Sequence, residues 1–410
     1  MKVGIYTLGC KVNTYDSEYI TDLLRKNNYE ISNFDDICDI YIINTCTVTN
    51  TSDIKSRKII RQARRRNKDA LIIALGCFTQ ANPKLEMEEV DILLGNKDKS
   101  RVLDYINDYF KEKKKINNVY DYDKLSNNFE DMYIENFESR TRAFVKIQDG
   151  CENFCSYCII PFVRGKCRSK DFDKVISEVT SLVNNGFYEV VLTGIHTGNY
   201  GVDINTNLCN LLKEMVKIKG LKRIRISSIE ITELNDGILE LIKNNDIIVN
   251  HLHIPIQAAS DKVLKIMNRK YDLSYFKDKI KYIKEIKKDV SITTDIIVGH
   301  PGEDDDTFKR SIDDIKEIGF SKLHVFPYSK RDGTKAAEME QVDEKVKKER
   351  AKVLLQLSRQ LEIDYMNQFL NKEVEVLIEI NKDGYSVGHT TNYLQVKINE
   401  LIPHNTFVKV

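Results

Sequence analysis

The sequence predicts an α/β protein with an N-terminal parallel-sheet α/β domain, a central partial (β/α)6 barrel and a small C-terminal all-β domain. First, the chain has 410 residues, which corresponds to roughly two to three domains of about 150 residues. Second, short β-branched runs alternate with longer amphipathic stretches, as they do in βαβ units. Third, from residue 371 onward only short alternating strands follow, separated by turn residues.

The N-terminal domain is expected over residues 1–112. Its strands are predicted at 2–8, 39–44, 70–75 and 91–95, and its helices at 15–26, 53–67 and 98–111. Residues 113–139, rich in Lys, Asn and Asp, interrupt this alternation. We interpret them as a linker that carries an edge strand.

The barrel is expected over residues 140–370. Its strands are predicted at 144–148, 189–194, 223–228, 251–256, 291–298 and 322–327, with helices at 173–184, 208–217, 274–287 and 304–317. Six β/α units fit an incomplete barrel better than an open sheet. A long charged helix from residue 343 precedes the all-β domain at 371–410.

The composition excludes several classes of protein. Hydrophobic residues make up 41% of the chain and charged residues 30%, which is ordinary for a globular protein and excludes a disordered one. A net charge of +1 excludes a generally basic nucleic-acid coat. Because no apolar run approaches about 18 residues and the start lacks signal-peptide features, we expect a cytoplasmic protein without a membrane segment. In that compartment the nine cysteines favour metal binding or catalysis over disulfides.

Three cysteines, Cys151, Cys155 and Cys158, lie on one loop after the first strand of the predicted barrel. We call them the Cys151 triad. Iron–sulfur clusters normally use four cysteines, so three thiolates can hold a cubane and leave one iron open. Structural zinc is the alternative, with Cys167 as a fourth thiolate, although zinc ribbons usually supply two close pairs from separate loops.

A second set, the Cys10 triad, consists of Cys10, Cys46 and Cys77. Each follows a predicted strand, so a parallel sheet would bring all three to its carboxyl edge, where α/β sheets place their ligands. We therefore favour a metal site over the alternative of three buried cysteines that pack as small hydrophobes. The other cysteines are expected to be packing or incidental residues: Cys38, Cys167 and Cys209.

The CxxxCxxC spacing, with the aromatic Tyr157 before its last cysteine, resembles the signature of radical S-adenosylmethionine enzymes. The two triads together resemble the methylthiotransferase family of those enzymes, in which an RNA-binding TRAM domain follows a radical barrel. The resemblance covers nearly the whole chain and is closest to the MtaB-type enzymes. It rests on the segments TLGCKVNTYDSE, NTCTVTN, GCFTQ, FVRGKCRSKD, LTGIHTGNYG and HVFPYSKRDGT.

The resemblance implies two [4Fe-4S] clusters, both counted as part of the catalytic machinery. The Cys151 triad would bind the radical cluster, and the Cys10 triad would bind an auxiliary cluster that carries the sulfur. Two molecules of S-adenosylmethionine would be used per turnover, one to methylate that sulfur and one to generate the radical that removes hydrogen from adenine carbon 2. The substrate would be threonylcarbamoyladenosine at tRNA position 37, with a reductant such as flavodoxin or ferredoxin and a sulfur donor that the sequence does not identify.

Two alternatives stay open at this point. The same chemistry could act on isopentenyladenosine in tRNA or on a ribosomal protein side chain. From another class, the chain could be an RNA-binding protein with structural metal sites. Two triads that each leave an iron free argue against closed structural sites.

The S-adenosylmethionine contacts are expected after the barrel strands, where βα loops build a site. Glycine there lets the backbone approach a ligand, and hydroxyl or carboxylate groups can hold a ribose. The sequence differs from the usual family pattern at Ala258, Ala259 and His300. The expected cofactor-binding residues are Tyr157, Thr193, Gly194, Ser228, Glu230, Gln257 and Gly299.

RNA contacts are expected in two places. Eight Lys and Arg residues crowd the helix predicted at 53–67 and its end, with Asp53 as the only nearby acid, and uncompensated cations can neutralise phosphates. The C-terminal strands add polar and aromatic side chains, as in a TRAM domain. The residues selected are Arg61, Arg64, Arg65, His389, Asn392 and Tyr393.

Overall fold

The computed structural model describes residues 1–125, 128–135, 137 and 141–410. Part of the predicted linker therefore lies outside the described residues. The described chain forms an N-terminal sheet, a central set of six parallel strands and a C-terminal antiparallel sheet. Among all the residues described, no helix is long and apolar enough to span a membrane.

The N-terminal sheet has six parallel strands in the order β2-β1-β3-β4-β5-β6. The four strands predicted from the sequence are present, and β6 is the edge strand expected in the linker region. The elements are β1 (Lys2–Thr7), α1 (Lys11–Lys26), β2 (Glu30–Ser32), β3 (Ile40–Thr45), α2 (Asn50–Arg66), β4 (Leu71–Gly76), α3 (Cys77–Ala81), β5 (Ile92–Leu94), α4 (Val102–Glu112) and β6 (Ile116–Asn118).

The central part contains the six predicted strands, in chain order, and we call it the six-strand unit. The elements are β7 (Arg142–Lys146), β8 (Gln148–Asp149), α5 (Ile160–Arg164), β9 (Arg168–Ser169), α6 (Phe172–Asn184), β10 (Glu189–Thr193), α7 (Leu208–Met215), β11 (Arg223–Ile226), α8 (Asp236–Asn244), β12 (His251–His253), α9 (Asp261–Ile266), α10 (Leu273–Ile286), β13 (Ser291–Val298), α11 (Asp305–Ile318), β14 (Lys322–Pro327) and α12 (Glu344–Asn367).

The six strands form two three-stranded parallel sheets, β7-β10-β11 and β12-β13-β14. A parallel bridge between Ile224 and Ile248 joins the two sheets, so the strands follow one another in chain order. The short helices α3, α5, α8 and α9 were not predicted. At five to nine residues they are too short for a helical repeat to stand out from the sequence.

The C-terminal sheet is antiparallel, as expected for an all-β module, with the order β17-β16-β15-β18. Its strands are β15 (Glu375–Lys382), β16 (Tyr385–Thr390), β17 (Gln395–Ile398) and β18 (Phe407–Lys409).

Helix α1 connects the N-terminal sheet to the six-strand unit. Its buried side chains recur at helical spacing, and Ile20 and Leu24 belong to the core of the N-terminal sheet. Tyr15 instead joins the core of the six-strand unit, and its hydroxyl donates to Glu178 of α6 at 2.8 Å. One helix therefore contributes to both cores.

Asp16, the next residue of α1, is fully buried between the two units. It bonds Lys99 at 2.6 Å and Lys146 of β7 at 2.8 Å. Burial would raise the pKa of Asp16, but the charges of Lys146 and Lys99 outweigh it and lower the pKa to about 2. The interface between the units is thus fixed by a buried carboxylate that needs both cations.

A second contact joins the units at Arg331, which follows β14. Its guanidinium donates to Thr47 Oγ1 at 2.7 Å and to Asp53 at 2.8 Å, and also to Asn50 Oδ1 at 2.7 Å. Residues from the segments NTCTVTN and HVFPYSKRDGT are therefore interface partners.

We predict that Asp16→Asn lowers the free energy of unfolding by about 3–5 kcal/mol, because it leaves buried lysines unpaired. The measurement is denaturation followed by tyrosine fluorescence. Asp22→Asn on the same helix removes only an ion pair with the half-exposed Lys26 and should cost less than about 1 kcal/mol.

The Asp16 contribution also depends on pH. A lowered carboxyl pKa stabilises the fold above the pKa of the unfolded state, about 4, and that stability is lost as pH falls toward 2. The difference between wild type and Asp16→Asn should therefore shrink below about pH 4. A difference that stayed constant down to pH 2 would contradict the proposed charge pairing.

Candidate active site

The Cys10 triad lies at the carboxyl edge of three adjacent strands, as the sequence predicts. Cys10 follows β1, Cys46 follows β3, and Cys77 begins α3 directly after β4. Gly9 has a φ of +99°, and a methyl group on it would lie 3.0 Å from Cys46 Sγ. A glycine therefore lets the Cys10 loop pack directly on the second cysteine.

The three thiols of this triad differ in exposure. Cys10 is exposed, whereas Cys46 and Cys77 are buried. Burial raises the pKa of the Cys46 thiol, and the nearby charges of Cys77 and Cys10 raise it further. Asn96 Nδ2 donates to Cys77 Sγ at 3.4 Å and to the Val163 carbonyl at 2.9 Å.

The Cys151 triad lies on the loop between β8 and β9, which pair antiparallel and close its ends. Cys151 N donates to the Gly165 carbonyl at 3.1 Å, and Ser156 N donates to the Met267 carbonyl at 3.1 Å. Burial raises the pKa of the Cys158 thiol to about 12, and the neighbouring Cys155 contributes. The loop is thus held by the backbone at both ends and in the middle.

Charged side chains surround this loop. Arg269 donates to Cys155 Sγ at 3.4 Å and pairs with Glu230. His196 lies 3.8 Å from Cys151 Sγ and contacts Glu233. These groups border a cavity of about 270 Å³ lined by Asn153, Cys155, His196, Asn199, Glu230, Thr232, Glu233, Asn268, Arg269, Lys270 and Tyr271.

The sequence interpretation missed His196 and Arg269. His196 lies inside the segment LTGIHTGNYG, so its position could have indicated a role. Arg269 carries no local signal, because only the fold brings it from beyond α9 to the cysteine loop.

Arg164, the last residue of α5, connects the two triads. It is fully buried and bonds Asp149 at 3.2 and 3.1 Å, two residues before Cys151, and it also donates to Asn13 of α1. Burial opposes its charge, yet Asp149 and then Cys77 and Cys10 raise its pKa. The same guanidinium is therefore within electrostatic reach of the Cys10 triad and hydrogen-bonded beside the Cys151 triad.

The donor chemistry of both triads fits iron–sulfur clusters, which cysteine thiolates hold. Among the described residues, no three His, Cys, Asp or Glu side chains converge as ligands of one metal ion. Gln148 Nε2 donates to Cys167 Sγ at 2.9 Å, so the zinc alternative would have to displace this bond.

Two of the expected cofactor contacts lie beside the Cys151 triad. Tyr157 is packed against the buried cluster around Val263, and Glu230 reaches Cys155 through Arg269.

The remaining expected contacts lie at strand ends. Thr193 is buried, and a methyl group on Gly194 would meet Gln148 Oε1 at 3.0 Å. Ser228 is half-buried, and Gln257 has a φ of +62°.

Gly299 faces the long helix α12. Its N–H donates to Glu303 at 2.8 Å, and a methyl group there would clash with Lys347. The structure therefore gives Gly299 a packing role against α12.

The expectation of uncompensated charge on α2 is wrong. Arg64 pairs with Asp91 at 2.6 Å and also donates to three backbone carbonyls, and Arg61 lies 3.4 Å from Glu89. Arg66 likewise pairs with an acid distant in sequence, Asp35. Arg65 is exposed.

The C-terminal residues selected for RNA contact lie where the antiparallel sheet meets the six-strand unit. Tyr393 stacks between His251 and His389, with ring centroids 4.8 Å apart in each case. His389 is 3.0 Å from Glu379, and Asn392 donates to Tyr365 of α12 at 2.9 Å. These side chains attach the C-terminal sheet to the six-strand unit. The pattern of short alternating strands predicts a sheet but not where that sheet docks.

Comparisons with known proteins agree with this geometry. The family described as the radical SAM superfamily matches residues 145–315, and uncharacterized protein family UPF0004 matches residues 2–95. The threonylcarbamoyladenosine tRNA methylthiotransferase MtaB of Bacillus subtilis is 46% identical over 96% of this chain and 89% of the relative. The ribosomal protein uS12 methylthiotransferase RimO of Clostridium novyi is 36% identical over the same shares.

A solved structure with a similar fold is the radical S-adenosylmethionine methyltransferase TsrM from Kitasatospora setae. The TM-score is 0.58 at 14% identity, and the alignment covers 79% of this chain and 72% of that chain.

The unequal exposure of the Cys10 triad predicts unequal reactivity. In the cluster-free protein, iodoacetamide should alkylate Cys10 at least about tenfold faster than Cys46 or Cys77, because Cys10 is exposed and the other two thiols are buried. Burial also raises the pKa of Cys46 and so lowers its thiolate fraction. Peptide mass spectrometry over time measures the three rates. Equal rates would show that the edge is open to solvent at all three thiols.

Proposed function

The chain belongs to the radical S-adenosylmethionine methylthiotransferase family, and on that premise we propose that it converts threonylcarbamoyladenosine in tRNA to its 2-methylthio derivative at position 37. The observation that carries the choice of substrate is the 46% identity over 96% of the chain to a relative named for that reaction. Family members use a [4Fe-4S] cluster and S-adenosylmethionine, and methylthiotransferases carry a second cluster.

We propose that the Cys151 triad binds the radical cluster and the Cys10 triad binds the auxiliary cluster. When bound, the clusters supply radical generation from S-adenosylmethionine and the sulfur to be transferred. The chain's own residues position the cysteines. Arg269 donates to Cys155 and Asn96 donates to Cys77, and Arg164 fixes the loops of the two triads relative to each other. The Asn96 and Arg164 contacts are buried, which limits access of water to them.

The finer architecture belongs to the same proposal. The six strands in chain order support a partial (β/α)6 barrel, with its site at the carboxyl ends of the strands. The four-stranded antiparallel sheet supports a compact TRAM domain over residues 371–410. We assign the N-terminal methylthiotransferase domain to 1–112, the linker to 113–139 and the barrel to 140–370.

For tRNA binding we propose the exposed part of α2 together with an aromatic surface beside the Cys151 triad. Tyr122, Phe154 and Phe162 are 38–42% exposed, and the Phe162 ring lies between the other two, with its centroid 6.5 Å from that of Tyr122 and 5.7 Å from that of Phe154. Exposed aromatic rings can stack on the unpaired bases of an RNA loop.

A tRNA substrate implies the cytoplasm, and the radical step implies an electron donor such as flavodoxin or ferredoxin.

The second candidate is methylthiolation of a ribosomal protein, because a relative named for that reaction is 36% identical. The deciding experiment compares modified nucleosides in a strain that lacks the modification, with and without this gene. Appearance of 2-methylthio-threonylcarbamoyladenosine supports the proposal. Its absence, with a 2-methylthio-dimethylallyladenosine peak or a modified ribosomal protein instead, would identify one of the alternatives.

We predict about eight irons per chain after anaerobic reconstitution, because each triad holds one cubane. Replacing all three cysteines of either triad by alanine should leave about four irons, measured with sulfide and absorbance. The matched control is Cys38→Ala/Cys209→Ala, which should retain about eight. Tightly bound zinc with no iron would favour the binding protein with structural metal sites.

A further prediction concerns the surface of α2. Arg61→Glu/Arg65→Glu should weaken tRNA binding and lower the salt slope by about one for each phosphate that is no longer neutralised. Arg64 is left unchanged because its bonds stabilise the fold. The control Lys213→Glu/Lys243→Glu places the same charge change on the exposed faces of α7 and α8. Equal weakening in both variants would assign the effect to net charge alone.

A further inference from the structure

Strand β14 has one face that the helices of the six-strand unit do not cover. Leu323 and Val325 belong to the core that also contains Leu354 of α12, whereas His324 is exposed and Phe326 is 44% exposed. Successive side chains of a strand point to opposite faces, so His324 and Phe326 share the face opposite α12. We call it the inner face.

Three polar side chains from neighbouring strands meet on the inner face. The His253 ring of β12 has its centroid 5.4 Å from that of His324, and His253 Nε2 lies 3.3 Å from Asp295 Oδ1 of β13. Thr293 Oγ1, 2.9 Å from His253 Nδ1, orients that ring. We call His253, Asp295 and His324 the His253 cluster. Because the Asp295 side chain is 32% exposed and His324 is exposed, the cluster is accessible to a ligand.

The segment that follows β14 contacts the loops of both cysteine triads. Arg331 donates to Thr47 Oγ1 at 2.7 Å, and Thr47 is the residue after Cys46. Farther along, Ala336 N donates to the Ser156 carbonyl at 2.8 Å, inside the loop of the Cys151 triad. The carboxyl end of the inner face is therefore connected directly to both triads.

Phe326 and the His253 cluster are spaced to hold two parts of one ligand. Side chains two residues apart on a strand are separated by roughly 7 Å, which is the distance expected between Phe326 and His324. In an N6-threonylcarbamoyl group, ordinary bond lengths put the carboxylate roughly 5 Å from the adenine N6. A base stacked on Phe326 can therefore extend its substituent to the cluster.

We propose that the inner face binds the modified nucleoside, with its base on Phe326 and its threonylcarbamoyl group on the His253 cluster, an inference that rests on the proposed function. The substituent has hydroxyl and amide donors for the Asp295 carboxylate, and carboxylate oxygens that accept from His324. An exposed aromatic ring stacks on an unpaired base. A dimethylallyl group would leave the polar side chains beneath it unpaired, so the cluster selects against that group.

The test compares two RNAs that differ only in the substituent. Full-length protein, reconstituted anaerobically, is titrated with anticodon stem-loop RNAs that carry threonylcarbamoyladenosine or unmodified adenosine at position 37, and fluorescence anisotropy gives the dissociation constants. Wild type should bind the threonylcarbamoyl RNA at least about tenfold more tightly, because more than one hydrogen bond is gained. His324→Leu and Asp295→Ala should each lower this preference below about threefold.

Further variants separate the two contacts. His324→Gln retains an N–H donor and should keep most of the preference. Phe326→Ala should weaken binding of both RNAs equally, by at least about fivefold, because stacking does not depend on the substituent. The control Asp313→Ala removes an acid of α11 that forms an exposed ion pair with Lys316, and it should behave as wild type.

A wild type without the preference would overturn the proposal, as would a preference retained in either His324→Leu or Asp295→Ala. Unchanged RNA binding by Phe326→Ala would overturn the stacking contact.

The cluster could instead bind the methionine carboxylate of S-adenosylmethionine. In that case His324→Leu would need more S-adenosylmethionine for half-maximal binding while the RNA preference persisted, and the proposal would fail. The proposed function fails separately, if wild type yields no 2-methylthio product from the threonylcarbamoyl RNA.

Discussion

The buried contact between Arg164 and Asp149 is the interaction on which the site depends. Asp149 accepts two hydrogen bonds from Arg164 and lies 2.8 Å from Lys146, which in turn bonds Asp16 on α1. The chain of alternating charges therefore runs from the loop of the Cys151 triad to the helix that starts at the Cys10 triad. Neither loop can shift without leaving a buried charge unpaired.

Such a network is an expensive way to join two units, because removing each charge from water costs several kcal/mol. An apolar interface of the same size would hold the units together but would tolerate sliding. Paired charges permit one arrangement, since Asp16 must meet Lys99 and Lys146 together. When a reaction uses two sites in succession, a fixed distance between the two sites matters more than additional stability of the fold.

The sequence was sufficient for the elements with strong patterns. The six strands of the central unit and the parallel N-terminal strands follow from apolar runs, and both triads follow from cysteines at strand ends. The charge state of α2 could not be predicted, because Glu89, Asp91 and Asp35 reach it only through the fold. The position of Tyr393 between two histidines depends in the same way on how the C-terminal sheet docks.

The central claim is that the two triads hold clusters close enough to act on one substrate. Electron paramagnetic resonance of the reduced, reconstituted protein tests it directly, because nearby paramagnetic clusters broaden each other's signals. We expect a wild-type spectrum broader than the sum of the two variants that each lack one triad. A wild-type spectrum equal to that sum would contradict the proposed arrangement.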